Sequence, residues 1–253
     1  MNPYYRDKWV TIYCGDCREI LPQLDVKVDC IPTSPPFNKH SANRRTHPTD
    51  TWSGGGAAIS YGGNKDDMPE GEYQNWQIEI INLCLGVLRD DGSIFYNHKN
   101  RTVNYGVIPP LKWLLETDAI IKQEIIWNRM MIVEVDKVRF YPKTERLYWL
   151  IKNKGQPYFN PESAKFTDIW DIPPSQNENK YRHPASFPEK LCSRCITATT
   201  QNGGLVLDPF LGSGTTCYCA KNLNRYSIGI EIEEKYCEIA ARRCSQEVME
   251  LRC

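Results

Sequence analysis

The sequence predicts an α/β protein built on a doubly wound, mostly parallel sheet with helices on both faces. Three observations carry that prediction. Short apolar runs rich in β-branched residues alternate with segments of helical period along most of the 253 residues. The runs are mostly apolar, as strands covered on two faces are. One of them passes through a glycine turn straight into a helix, and ligands of such sheets bind outside the carboxyl ends of the strands.

Taken in order, Trp9–Tyr13 is a β-rich run that meets Gly15-Asp16, and Cys17–Leu21 reads as a short helix. Val26–Ile31 is the next strand, stopped by the Pro35-Pro36 pair, whose rings fix φ and remove two backbone donors. Residues 39–70 are polar and rich in Gly, Ser and Asn, so a long mobile loop is expected. From Glu72, apolar positions Trp76, Ile80, Leu83, Val87 and Leu88 recur at helical spacing, and Asp90-Asp91-Gly92 ends that helix before a strand at Ser93–Tyr96. A helix over Val107–Glu116 and strands over Ile120–Trp127 and Arg146–Ile151 follow.

Residues 152–182 turn polar and proline-rich without a period, marking them as a small accessory segment. Regularity returns with a helix at Glu189–Thr199, a strand at Gly204–Leu207, a helix at Thr215–Asn222, a strand at Tyr226–Ile230 and a last helix from Glu233 to about Met249.

The chain is long enough for one catalytic domain, residues 1–253, with 41% hydrophobic residues to fill a core. Lys plus Arg and Asp plus Glu number 31 each, which excludes a uniformly basic surface. Affinity for nucleic acid must then come from a local face. The amino terminus has no apolar signal segment, and no run of about 18 apolar residues follows, so a cytoplasmic protein without a membrane partner is expected. The 11 cysteines read as reduced packing residues. Two C-x-x-C pairs, Cys14/Cys17 and Cys192/Cys195, lie too far apart for a usual zinc ribbon, and no metal is expected.

Two turns carry chemistry. Asp208-Pro209-Phe210-Leu211-Gly212-Ser213-Gly214-Thr215-Thr216 sets an acidic residue and a Gly-x-Gly turn between strand and helix. Glycine lets a backbone approach a ligand closely, and the helix start offers unpaired N–H groups. Glu231 ends the next strand about 20 residues on, where a carboxylate suits a ribose diol. The turn lacks a full G-x-G-x-x-G and no Walker lysine follows, which favours a small nucleoside cofactor over NAD or ATP. In Thr33-Ser34-Pro35-Pro36-Phe37, two ring-bound nitrogens leave carbonyl oxygens without competing donors, and the Ser34 hydroxyl adds an acceptor. An exocyclic amino group is the complementary partner, and Phe37 offers a flat face on which a base can stack.

Ser34-Pro35-Pro36-Phe37, Asp208 to Thr215 and Gly229-Ile230-Glu231 together resemble the S-adenosylmethionine-dependent DNA amino-methyltransferases. With the catalytic loop first and the cofactor loop last, their order is similar to the permuted β arrangement of that family. The resemblance implies a Rossmann-like fold, S-adenosylmethionine as cofactor and double-stranded DNA as substrate. It implies that Asp208, Phe210, Gly212 and Gly214 surround the methionine part of the cofactor, with Pro209 also in the cofactor-binding set, that Thr215 and Thr216 cap the helix beside it, and that Glu231 holds the ribose. By the same resemblance Asp16 lies on the adenine side, with Phe187 and Pro188 at the methionine end. Ser34, Pro35, Pro36 and Phe37 become the catalytic set.

Lys39, His40, Arg44 and Arg45 are the expected DNA contacts, and 152–182 is the expected target-recognition segment. Ser-Pro-Pro after Thr is associated in the family with cytosine N4, whereas an acidic residue or Asn in the Ser34 place is associated with adenine N6. Cytosine-N4 methylation in duplex DNA, as in restriction-modification, is therefore expected, with adenine N6 as the alternative. An RNA or small-molecule methyltransferase would share only the cofactor half, and a non-catalytic DNA-binding module would not need the Asp208 loop. A companion restriction endonuclease and a homodimer are compatible with the pattern.

Overall fold

A computed structural model describes residues 1–38, 60–61, 64–65, 68–103, 106–130, 140–152, 156–174 and 187–245. Lys39, His40, Arg44 and Arg45, most of the 39–70 segment, and 175–186 lie outside the described residues.

The chain opens with strands β1 (Tyr5–Arg6) and β2 (Val10–Cys14), then helix α1 (Cys17–Ile20), a 3-10 turn at Leu21–Gln23 and β3 (Val28–Thr33). A two-residue pair, β4 (Ser60–Tyr61) and β5 (Asn64–Lys65), precedes α2 (Glu70–Val87) and β6 (Leu88–His98). Next come the small pair β7 (Arg101–Val103) and β8 (Gly106–Ile108), α3 (Leu111–Leu114), β9 (Ile120–Asn128) and β10 (Thr144–Ile151). A 3-10 turn (Pro161–Lys165) and β11 (Ile169–Asp171) lead to α4 (Glu189–Thr199), β12 (Leu205–Asp208), α5 (Thr215–Asn222), β13 (Tyr226–Glu231) and α6 (Glu234–Ser245).

Nine strands form one sheet in the order β1-β2-β13-β12-β3-β6-β10-β9-β11. The run from β2 to β6 is parallel throughout. Strand β10 returns antiparallel between β6 and β9. Alternate residues of each strand feed opposite cores, which explains why both faces are apolar. Ile31, Ile94, Tyr96, Leu207, Ile228 and Ile230 pack with Tyr73, Trp76 and Ile80 of α2 on one face. On the other, Cys30, Phe95 and Trp149 meet Leu191 and Cys195 of α4, while Val10 and Ile12 meet Cys217, Cys237 and Ala240 of α5 and α6. The described cysteines other than Cys14 are buried. Burial pushes Cys17 and Cys30 up to about 12, so these thiols serve as small apolar side chains.

Four expectations change. No helix spans Val107–Glu116: Gly106–Ile108 is strand, and the Pro109-Pro110 pair delays the helix to the single turn Leu111–Leu114. The Asp90-Asp91-Gly92 stop lies inside β6, because α2 ends at Val87 and its C-cap, Leu88, already has the extended backbone that begins the strand. Strand β3 runs on to Thr33 with Pro32 inside it, and its ladder with β12 comes down to one register pair, Val206 with Cys30. The described part of 152–182 is built into the main body: β11 adds to the sheet edge beside β9, and Trp127 donates its indole N–H to the Ile172 carbonyl at 2.7 Å.

From β3 the chain crosses through α2 to β6 on one side, and from β12 it crosses through α5 to β13 on the other. Neighbouring parallel strands β3 and β12 thus form the point where strand order reverses, and the loops leaving their carboxyl ends open together. Among the described residues no helix is long and apolar enough to cross a membrane.

Candidate functional site

The glycine turn after β12 is shaped by backbone that only glycine adopts readily. Gly212 and Gly214 have φ of 54° and 85°. A Cβ on Gly214 would stand 2.9 Å from both Cα and Cβ of Ala240, so helix α6 closes that position sterically. Gly214 is the N-cap of α5, and no side chain caps the helix. This corrects the expected capping by Thr215 and Thr216, which are the first helical residues with their hydroxyls committed elsewhere. Thr216 donates to Asp208 Oδ2 at 2.6 Å, and Thr215 Oγ1 accepts from Arg243 at 2.9 Å. Among the described residues, the first turn of α5 has no side-chain cap.

Asp208 ties the two loops together. Its Oδ1 accepts from the Thr33 hydroxyl at 2.9 Å and from the Phe210 N–H at 3.1 Å. Burial pushes its carboxyl up to about 6, against the pull of the bonds from Thr216, Phe210 and Thr33. Glu231 is also buried; its Oε2 accepts from the Gly212 N–H at 2.8 Å and its Oε1 from the Glu233 N–H at 2.9 Å. Burial raises it too, opposed by those backbone bonds. Both carboxylates thus brace the glycine turn from beneath and concentrate negative charge there.

The ends of β2 and β13 are joined by the Gly15 N–H on the Glu231 carbonyl at 2.8 Å. Asp16, two residues beyond Cys14, caps α1 and pairs with Arg18 at 2.6 Å. Burial raises its carboxyl, but the Arg18 guanidinium and backbone bonds outweigh it and hold Asp16 below its ordinary value. Phe187 is half-buried against α4, and Pro188 is that helix's N-cap.

After β3, Pro35 is buried while Ser34, Pro36 and Phe37 are half-buried. Ser34 donates its hydroxyl hydrogen to Asn97 Oδ1 at 3.0 Å, which leaves the hydroxyl lone pairs as acceptors. Asn97 is fixed in turn by donating to the Arg146 carbonyl at 3.2 Å. Phe37 lies with its ring centroid 4.5 Å from that of His98. Tyr73 donates to the Pro36 carbonyl at 2.7 Å. On the glycine-turn side, Phe210 packs against Trp76 with centroids 5.5 Å apart, and among the described residues the buried Trp76 indole N–H has no hydrogen-bond partner.

The structure therefore gathers Ser34 to Phe37, Asp208 to Thr216, Glu231 and Asp16 at one end of the sheet. Thr33 links the halves, while Tyr73, Asn97 and His98 were not singled out from sequence. Their signal was polar side chains at the carboxyl end of an apolar strand, Asn97-His98, and one tyrosine on an otherwise amphipathic helix.

Fold and site together define a Rossmann-like α/β protein with its functional loops at the switch point of the sheet. The model of the N6/N4 DNA methylase family matches residues 28–242, and the chain belongs to that family. Type II methyltransferase M.BglII of Bacillus subtilis is 29% identical over 93% of this chain and 69% of that protein. M.ScaI of Streptomyces caespitosus is 28% identical over 99% and 86%. Among solved structures, the cytosine-N4-specific PvuII DNA methyltransferase superposes with a TM-score of 0.78 at 20% identity, over 98% of this chain and 90% of that one. M1.HpyAVI, solved in complex with SAM, gives 0.65 at 25% identity, over 93% and 100%.

Proposed function

We propose that the protein transfers a methyl group from S-adenosylmethionine to the exocyclic N4 of cytosine in duplex DNA. The observation that carries this reading is the hydroxyl of Ser34. With its hydrogen given to Asn97, it can only accept, and it stands one residue from the Thr33–Asp208 bond that joins base loop to cofactor turn. An amino group, with two hydrogens to give, matches Ser34 Oγ and the Pro35 carbonyl. Serine rather than an acidic residue or Asn at this place supports cytosine over adenine, and so does the likeness to a cytosine-N4-specific enzyme.

The residues present fit the cofactor. Among the described residues, the α5 start has no side-chain cap and the buried Trp76 N–H no hydrogen-bond partner, so both offer donors for its polar groups, and buried Asp208 and Glu231 supply negative charge beside a cation. Bound S-adenosylmethionine supplies an electrophilic methyl on a sulfonium leaving group. Phe210, Gly212 and Gly214 would hold its methionine part, Glu231 its ribose and Asp16 its adenine side, with Phe187 and Pro188 at the methionine end. Ser34 and Pro35 accept the hydrogens of the extruded base's amino group, turning its nitrogen lone pair toward the cofactor turn and stabilising positive charge as it develops. Phe37 supplies a stacking face. No covalent adduct with the base is required, and no cysteine is assigned as nucleophile.

Lys39, His40, Arg44 and Arg45 lead directly out of the base loop and are the proposed phosphate contacts. Nucleoside mass spectrometry of duplex DNA incubated with the protein and cofactor should show N4-methylcytosine. N6-methyladenine without it would reassign the target base.

A further inference from the structure

A chain of buried hydrogen bonds runs through the core beneath the base loop, all pointing one way. Trp113 donates its indole N–H to Tyr96 Oη at 3.2 Å, and Tyr96 donates to Gln77 Oε1 at 2.9 Å. Gln77 donates from Nε2 to Tyr73 Oη at 2.8 Å, and Tyr73 donates to the Pro36 carbonyl at 2.7 Å. Tyr73, Gln77, Tyr96 and Trp113 are all at most 2% exposed, so water does not compete for these bonds. Each donor in the series polarises the next, and the last acceptor is a carbonyl of the catalytic loop itself.

His98 makes Tyr73 a fork. Its Nδ1 lies 2.7 Å from the Lys99 carbonyl, which only accepts, so Nδ1 carries a hydrogen. Its Nε2 lies 2.6 Å from Tyr73 Oη. A neutral ring then has no hydrogen for that contact, and the one hydroxyl hydrogen of Tyr73 faces two acceptors, Pro36 O and His98 Nε2. Burial drives His98 to the neutral form, with a pKa of about 3. Gln77 Nε2, 3.4 Å from Pro36 O, offers a weaker second donor to that carbonyl.

We infer that Tyr73 is a positioning residue for the amino-methylation reaction: its hydroxyl, oriented by Gln77 and contested by His98, fixes the Pro36 carbonyl and so aims the acceptors of Ser34-Pro35 at the target amino group. Tyr73 acts through the Pro36 carbonyl, one residue beyond the proposed acceptor carbonyl of Pro35. The inference rests on the DNA amino-methylation reading.

The test is single-turnover transfer of tritium from labelled S-adenosylmethionine to plasmid DNA prepared from a methylation-deficient host, with cofactor affinity measured by calorimetry. Wild-type protein that labels no DNA would defeat the underlying reading. Given wild-type activity, Tyr73→Phe should lower the transfer rate roughly 10- to 100-fold while leaving cofactor Kd within about twofold, because only aim is lost. A Tyr73→Phe rate within twofold of wild type, or a loss of cofactor affinity matching the loss of rate, would each overturn the assignment. If Tyr73→Phe does not fold, Gln77→Leu tests the same chain one link earlier, with the rate again falling at constant Kd; an unchanged rate there would count against it.

Discussion

The buried carboxylate of Asp208 should leave a measurable mark on stability as a function of pH. Its pKa is pushed up by burial from 3.8 to about 6, while in the unfolded chain it stays near the ordinary value. A raised folded pKa means that the native state holds the proton more tightly, so the associated stability is full below the unfolded pKa and is lost as pH rises through the folded one. The full difference is roughly 3 kcal/mol, of which about 2 kcal/mol falls between pH ~4.5 and ~8. Asp208→Asn removes the titration while keeping an oxygen for Thr33 and Phe210; Thr216 can turn to accept from the new amide. Urea unfolding of wild type and variant at both pH values cancels the contribution of every other group. The variant should gain about 2 kcal/mol relative to wild type on going to the higher pH. Parallel stability profiles within about 0.5 kcal/mol would show that the carboxylate is not held at a raised pKa, and the account of the brace beneath the cofactor turn would be wrong.

Other expectations concern the two loops separately. Gly214→Ala places a Cβ against Ala240 at a φ of 85° and should cost about 1–3 kcal/mol in chemical denaturation, with weakened cofactor binding; cofactor Kd unchanged from wild type would remove the turn from the binding site. Ser34→Ala deletes an acceptor from the base side only, so transfer to DNA should fall by about 100-fold with cofactor Kd preserved in calorimetry. Reversing the charge of Arg44 and Arg45 should weaken DNA binding and flatten the slope of log K against log salt by roughly 2, read by fluorescence anisotropy across a salt series.

Much of the architecture was legible before any coordinates. The alternation of apolar runs with amphipathic stretches marked out β2, β3, β9, β10, β12 and β13, and the central ones among them, β12 and β13, are mostly apolar because a strand buried on both faces leaves little other composition open to it. The Asp208–Thr216 and Ser34–Phe37 turns were legible because glycine and proline declare backbone needs directly. Boundaries shifted where local signals competed: Pro109-Pro110 cut short a helix that periodicity alone extended, and Asp90-Asp91-Gly92 lies as an irregularity inside a strand whose Leu88 and Ser93 pair with Val28 and Cys30 of β3.

Sequence by itself determined the class of fold and where the glycine turn and the Pro-Pro loop fall, since each depends on residues adjacent in the chain. Only the tertiary structure decided that Thr33 meets Asp208 across 175 positions, that Thr215 and Thr216 serve as braces and not caps, and that Tyr73, 37 residues away, holds Pro36. Those pairings follow from which strands become neighbours at the switch point, and neighbour choice is settled by how α2, α5 and α6 cover the two faces. No local window of the chain contains that information.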